Sequence, residues 1–226
     1  MSIVIAIDGT AASGKGTIAK KLAKRFGFAH LDSGKLYRCV ALEVLDAGGD
    51  PAQESDALNA VARFRRNAGG FGNPAFLNDK RLLRADVGEA ASLVSAFGRV
   101  RAELLQFQRD FAAHPPGGPP GAVIDGRDIG TIVCPNAQAK LFVDARPEIR
   151  AHRRWLELKA YGDTRDEAAI LKEIRERDAR DAARAVAPMK PAKDAALLDT
   201  SALDIDAAFK AALAIVEKAL KVQPKG

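Results

Sequence analysis

The chain is expected to fold as an α/β domain built on a parallel sheet, and three observations carry that expectation. Ile3 to Ile7 is a short apolar, β-branched run without polar alternation, the pattern of a strand buried on both faces. A glycine-rich loop follows it and leads into a helix, since Ile18, Leu22 and Phe26 recur four apart with lysines between them. Similar apolar runs return late in the chain, at 122–124, 139–143 and 196–198, each ending at an aspartate. At 226 residues and 47% hydrophobic, the chain has material for one such domain with a sizeable core and a small inserted module.

The loop between the first strand and the first helix is the most specific element. Gly9 and Gly14 are separated by four residues and followed by Lys15, which matches the phosphate-cradling G-x-x-x-x-G-K pattern in its strand-loop-helix context. Glycine lets backbone N–H groups turn inward around a phosphate, the helix N-terminus adds its positive end, and the lysine reaches the outer phosphates. Gly14 to Ala19 also fits the dinucleotide fingerprint, with Asp32 at a ribose-binding distance. That fingerprint needs its first glycine directly at the strand end, and Gly9 to Ser13 intervenes, so the phosphate loop is preferred. The general motif places Ser or Thr after the lysine to touch Mg²⁺, whereas here Gly16 takes that place and the hydroxyl comes at Thr17.

Residues 29–31 read as a second strand, and Asp32-Ser33-Gly34 turns into a helix from Lys35 to about Asp46. On the residues alone Ser33 reads as an N-cap and Arg38 as a solvated charge. Residues 50–80 lose the buried-strand character: Glu54 to Arg66 reads as a surface helix and 69–74 as a turn cluster, together an insertion. Helices are expected over 86–97 and 99–113, then an extended loop rich in Pro and Gly at 115–121. The strand at 122–124 ends in Asp125-Gly126-Arg127-Asp128, and residues just past strand ends line the ligand crevice of an open parallel sheet. The competing reading is a turn-stabilising Asp beside a surface Arg.

Pro147 opens a helix to about Tyr161 that carries Arg150, Arg153 and Arg154, and another helix starts near Asp166. In the latter, Ile170, Ile174, Arg177, Asp181 and Arg184 follow at spacings of four, three, four and three and form one stripe. The stripe is apolar first and charged later. Either its charged end is a solvated ion-pair ladder, or it faces a cleft that holds an anion. A strand at 196–199 and a helix over 205–220 close the chain.

Composition narrows the function classes. Cys39 and Cys134 lack CxxC spacing, and His30, His114 and His152 form no ligand pair, so no metal site, zinc site or disulfide framework is expected. The apolar N-terminal run is short for a signal peptide and no run approaches a membrane span, which predicts a soluble cytoplasmic protein. The net charge of +6 suits either nucleic acid or an enzyme that neutralises phosphate charge. The arginines fall at strand ends and on one helix stripe, without a continuous basic run or interleaved aromatics, and this favours the enzyme. A regulatory GTPase would need an Asn-Lys-x-Asp base-reading element, and none occurs.

Four blocks of the chain resemble the bacterial cytidylate kinase family of nucleoside monophosphate kinases. They are 7–17, Leu31 to Gly34 with Tyr37-Arg38, 125–131, and Arg177 to Asp181 with Arg184 to Pro188. The resemblance spans nearly the whole chain and includes Gly16-Thr17. It implies a P-loop kinase fold, a five-stranded parallel sheet flanked by helices, as a single domain. The core would be 1–49 and 120–226, the inserted monophosphate-binding region about 50–119, and the lid about 153–168.

The implied reaction moves the γ-phosphoryl group of ATP, with Mg²⁺, to CMP or dCMP in pyrimidine nucleotide metabolism, by a monomer that takes no nucleic acid. The resemblance assigns ATP to Gly9, Thr10, Ala11, Ala12, Ser13, Gly14, Lys15, Gly16 and Thr17. It assigns the acceptor phosphate to Ser33, Arg38 and Arg127, the cytosine to Ser92, Arg101 and Asp128 with Arg184 nearby, and the ribose to Asp181 and Arg177. Lys15, Arg127 and Arg177 would carry the catalysis. Arg153 and Arg154 read equally as lid arginines and as a solvated helix face. The acceptor phosphate is largely dianionic at neutral pH and needs no general base, so the chemistry asks for positive charge held in line. A carboxylate at Asp128 suits cytosine, whose exocyclic amine donates where uracil presents an oxygen.

Overall fold

The apolar runs become five strands: β1 (Ile3–Gly9), β2 (Ala29–Asp32), β3 (Gly121–Gly126), β4 (Ala139–Asp144) and β5 (Ala196–Asp199). In the computed structural model, which describes residues 2–67, 74–160 and 162–222, they form one parallel sheet in the order β2-β3-β1-β4-β5. Register pairs Asp8 with Gly126 of β3 and Gly9 with Val143 of β4, so the loops after β1, β3 and β4 leave the sheet side by side. This is the carboxyl end where ligands bind in open α/β sheets.

The eight helices are α1 (Lys15–Phe26), α2 (Ser33–Asp46), α3 (Glu54–Asn67), α4 (Ala85–Val94), α5 (Gly98–Ala113), α6 (Pro147–Ala160), α7 (Glu167–Ala182) and α8 (Ile205–Val222), counted among the described residues. The chain divides into two compact units, residues 1–31 with 111–226, and residues 32–110. In the first, alternate residues of the central strands, Ile5, Ile7, Val123, Leu141 and Val143, pack with Ile18 and Leu22 of α1 and with Ala212 and Val216 of α8. The period of two in the strands and the period near four in α1 thus meet on one face of the sheet. A smaller apolar cluster, Ala151 and Leu158 of α6 with Ile170 and Ile174 of α7, holds that helix pair together and also takes the side chain of Ala12.

The second unit is helical among its described residues. Its core gathers Leu36, Val40 and Val44 of α2 with Ala57, Val61 and Phe64 of α3, Val87 and Val94 of α4, and Val100 and Leu104 of α5. The helix expected at the surface over 54–66 therefore buries one full face.

Other boundaries differ from the sequence reading for local reasons. Helix α2 begins at Ser33 because the Asp32 carboxylate, 3.3 Å from the Lys35 N–H, caps it; Ser33 is the first helical residue and is buried. Helix α7 ends at Ala182, so the last member of the expected stripe, Arg184, lies past the helix. The chain doubles back there: Met189 N–H donates to Asp181 O at 2.9 Å, and Ala187 adopts φ 54°. Most of the turn cluster at 69–74 and the expected helix end at Tyr161 lie outside the described residues.

Candidate active site

The phosphate loop begins where β1 ends. Gly9 has φ 145°, and a Cβ there would stand 1.9 Å from the Val143 carbonyl oxygen of the adjacent strand, so only glycine lets the chain leave the sheet at this point. Gly14, at φ 89°, precedes α1 with no side-chain cap, which leaves the first N–H groups of the helix facing the loop. Inside the loop the Ser13 hydroxyl donates to Thr10 O at 3.0 Å, and Lys15 Nζ donates to the same carbonyl at 3.2 Å. Thr10 Oγ1 donates to Asp144 Oδ1 at 2.6 Å, tying the loop to the end of β4. Thr17 is exposed at the start of α1.

The turn after β3 lies beside this loop in the same unit. Asp8, almost completely buried, accepts the N–H groups of Ile129 at 2.7 Å and Gly130 at 2.8 Å, and so holds the backbone just past Asp128. Burial pushes the Asp8 carboxyl up to about 6, against the pull of these two donors. Residues 129–133 form a single π-helical turn, and Asp128 at its head is buried. Asp125, at the end of β3, is buried and bonded to His30 Nε2 at 2.7 Å; its Oδ2 would lie 3.6 Å from a Cβ at Gly16.

Arg127 and the end of α7 meet directly. Arg127 Nε donates to Asp181 Oδ2 at 3.0 Å, and Arg184 Nη2 donates to the other Asp181 oxygen. Asp181 is 1% exposed, which excludes a solvated ladder. Burial alone would raise its carboxyl, yet the charges of Arg127, Arg184 and Arg177 outweigh that and hold it below the usual carboxylate range. The result is a half-buried patch in which three arginines surround one buried carboxylate, in the same unit as the phosphate loop.

The second unit holds the remaining predicted residues. Ser92, on α4, is 2% exposed, and its hydroxyl has no hydrogen-bond partner among the described residues. Ser92 O accepts from Ser95 Oγ at 3.0 Å, and Ser95 O accepts from Arg101 Nη1 at 3.2 Å. The Arg101 guanidinium, 7% exposed, lies 5.3 Å from the Tyr37 ring centroid. Arg38 donates to Leu82 O at 2.7 Å and packs so closely on Gly88 that a Cβ there would fall 2.9 Å from its Nη2. Ser33 is buried at the first turn of α2.

Arg153 donates to Thr200 Oγ1 at 3.1 Å and to Thr200 O at 2.7 Å, while Arg154 pairs with Glu157 of its own helix. Neither is a residue of the loop or the arginine patch. The buried arginine of α6 is Arg150, 2% exposed. Sequence reasoning missed it, and it missed Asp8, Asp144 and Thr200. Asp8 and Asp144 carried a signal, a charged residue closing an apolar strand beside the loop; Arg150 and Thr200 carried none. Cys39 is buried with its thiol pushed up to about 12 by burial, in keeping with a packing role. No cluster of three or more His, Cys, Asp or Glu suited to a metal occurs among the described residues.

A sequence profile of the family described as Cytidylate kinase matches residues 5–218. Curated relatives include the cytidylate kinases of Nitrobacter winogradskyi and Rhodopseudomonas palustris, each 54% identical over 215 residues, 95% of this chain and 96% of theirs. The cytidylate kinase of Rhodospirillum rubrum is 52% identical over 214 residues, 95% of this chain and 97% of its own. Among solved structures, an uncharacterized protein from Eubacterium ventriosum superposes with a TM-score of 0.53 at 15% identity, covering 96% of this chain and 99% of that one, a likeness of fold alone. With the profile matched from β1 into α8 and the five-stranded parallel sheet of a P-loop nucleoside monophosphate kinase, the chain belongs to the cytidylate kinase family.

Proposed function

We propose that the chain is an ATP-dependent kinase that phosphorylates CMP and dCMP, giving ADP with CDP or dCDP. The observation that carries this reading beyond family membership is the Arg127–Asp181 contact at 3.0 Å, made across 54 residues of sequence. It joins the turn after β3 to the end of α7 in one cationic patch, in the unit that also contains the phosphate loop. Two highly charged phosphate groups can approach each other only where such charge is already held in place.

In this reading residues Gly9 to Thr17 take the ATP phosphates. Lys15, Arg127 and Arg177 stabilise the charge that spreads over the transferring group. An acceptor phosphate oxygen forms the new P–O bond as the bond from the γ-phosphorus to the ADP oxygen breaks, with no proton to remove first. ATP enters as its Mg²⁺ complex, since Mg²⁺ is commonly held by substrate phosphates.

To CMP the reading assigns Ser33, Arg38, Ser92, Arg101, Arg127, Asp128, Arg177, Asp181 and Arg184. The Ser92 hydroxyl, buried without a partner among the described residues, supports its share of that assignment, because such a group is costly unless something bonds to it. The acceptor region would be about 50–119 and the lid about 153–168. The enzyme would act as a cytoplasmic monomer on free nucleotides, without nucleic acid; no described helix is long and apolar enough to cross a membrane. The test is ADP release with ATP and a panel of CMP, dCMP, UMP, AMP and GMP. The expected order has CMP and dCMP far ahead. Equal rates across the panel, or ADP release independent of any acceptor, would overturn the assignment.

A further inference from the structure

Three main-chain carbonyls of the phosphate loop are each held by a side chain, and two of those side chains come from elsewhere in the unit. Thr10 O is held within the loop, by Ser13 Oγ at 3.0 Å and Lys15 Nζ at 3.2 Å. Ala11 O accepts from Arg150 Nη1 at 3.3 Å, and Ser13 O accepts from Thr200 Oγ1 at 2.8 Å. In a planar trans peptide the carbonyl and the following N–H point in opposite directions. Holding these three carbonyls therefore turns the N–H groups of Ala11, Ala12 and Gly14 away from the groups that hold them. That orientation is what an anion cradle of backbone amides requires.

Both outside groups are themselves rigidly placed. The Arg150 guanidinium, 2% exposed, also donates through Nε to Ala145 O at 2.7 Å and through Nη2 to Asp178 Oδ2 at 2.6 Å. Thr200 is 1% exposed, donates its N–H to Asp144 O at 2.8 Å, and accepts from Arg153 Nη1 at 3.1 Å. A separate observation points the same way. Ala12 has φ 58°, a left-handed conformation that a non-glycine residue keeps only when its surroundings over-determine it, and its side chain packs on the α6–α7 cluster.

We propose that Arg150 and Thr200 are positioning residues for the donor-phosphate cradle: they touch no phosphate, and they act by fixing the Ala11 and Ser13 carbonyls so that the adjoining amides converge. The proposal rests on the reading of Gly9 to Thr17 as the ATP loop. It explains why Arg150 is buried and Arg153 is bonded to Thr200 while Arg154 pairs with Glu157 of its own helix, and it makes the ends of β4 and β5 part of the ATP site.

The experiment uses Thr200→Val, which removes one hydroxyl at nearly constant volume, Thr200→Ser, which keeps it, and Arg150→Lys. ATP and CMP affinities are measured separately by calorimetry, with thermal unfolding alongside. Loss of the hydrogen bond to its loop carbonyl is expected to weaken ATP binding about tenfold in Thr200→Val and at least as much in Arg150→Lys, with CMP affinity within about twofold of wild type. Thr200→Ser is expected to bind ATP as wild type does. Wild-type ATP affinity in both Thr200→Val and Arg150→Lys would overturn the proposal, as would ATP and CMP affinities that fall together with melting temperature. Lys15→Met separates this failure from failure of the underlying reading. If it weakens ATP binding while the other variants do not, only the brace is wrong; if it too binds ATP normally, the loop assignment falls and the brace with it.

Discussion

Truncation of Asp181 to alanine should destabilise the protein far more than loss of a surface ion pair would. Asp181 is 1% exposed and accepts from Arg127 at 3.0 Å and from Arg184, with Arg177 adding to the positive field around it. Removing the carboxylate leaves those guanidinium charges buried without their common counter-charge, a change that costs about 3–5 kcal/mol. For a chain of this length each kcal/mol moves the melting temperature by roughly 2–4 °C, so a fall of about 6–20 °C is expected. A solvated ladder would give about 1 kcal/mol or less, hence no more than about 4 °C. Kinetics, measured well below the lowered melting temperature, should also change. A charge-assisted bond from a sugar hydroxyl to Asp181 is worth about 1.5–3 kcal/mol, which is roughly 10- to 150-fold in kcat/KM. If the 2′-hydroxyl makes it, CMP suffers more than dCMP; if the 3′-hydroxyl makes it, the two suffer alike. A melting shift below about 4 °C with unchanged kcat/KM on both substrates would refute both the electrostatic and the functional argument.

Lys15→Met should leave the far-ultraviolet circular dichroism unchanged and lower kcat by orders of magnitude; near-native turnover would remove the loop from its assigned role. Asp128→Asn should narrow the kcat/KM preference for CMP over UMP by about 1–3 kcal/mol, since an amide presents either a donor or an acceptor to the base; an unchanged ratio would move the reading of cytosine to Ser92 and Arg101. Asp8 should leave a signature in the pH dependence of stability. Burial, helped by the neighbouring Asp128 charge, raises it from an ordinary 3.8 to about 6, against the pull of the Gly130 and Ile129 N–H groups and of Arg127. The folded state holds this proton more tightly than the unfolded chain, so the Asp8 contribution to stability falls as pH rises from about 4 to about 6. Urea unfolding of wild type and Asp8→Asn should show their difference shifting by about 2–3 kcal/mol across that window, and a flat difference would contradict the burial argument.

What the sequence revealed depended on whether the signal was local. The phosphate loop was legible because its strand, its two glycines and its helix lie within 24 residues, each with its own period. The neighbourhood of the loop and Arg127 was legible because strands of one parallel sheet must end together. The charged stripe was half legible. Its spacing placed Arg177 and Asp181 on one face, but it assumed a helix continuing to Arg184, whereas the helix stops at Ala182 and Arg184 reaches Asp181 from just beyond its end.

Helical spacing also failed to rank the arginines of α6, since a long side chain is buried or solvated according to the acceptors it meets, and those of Arg150 are main-chain carbonyls and an aspartate on another helix. Ser92 and Arg101 sit on ordinary helical turns, so only the family resemblance singled them out. Pattern reading does not detect an unpartnered buried hydroxyl. Carbonyl orientation within the phosphate loop has no sequence signature at all, which is why Thr200 was missed.

The central claim is direct phosphoryl transfer from ATP to CMP, and phosphorus NMR of one reaction mixture tests it. Wild-type enzyme with Mg²⁺, ATP and CMP should consume the γ-phosphorus signal of ATP and the CMP signal together, while the β-phosphorus signals of ADP and CDP grow in equal amounts and no inorganic phosphate accumulates. Conversion of ATP to ADP and inorganic phosphate with the CMP signal untouched would contradict the account.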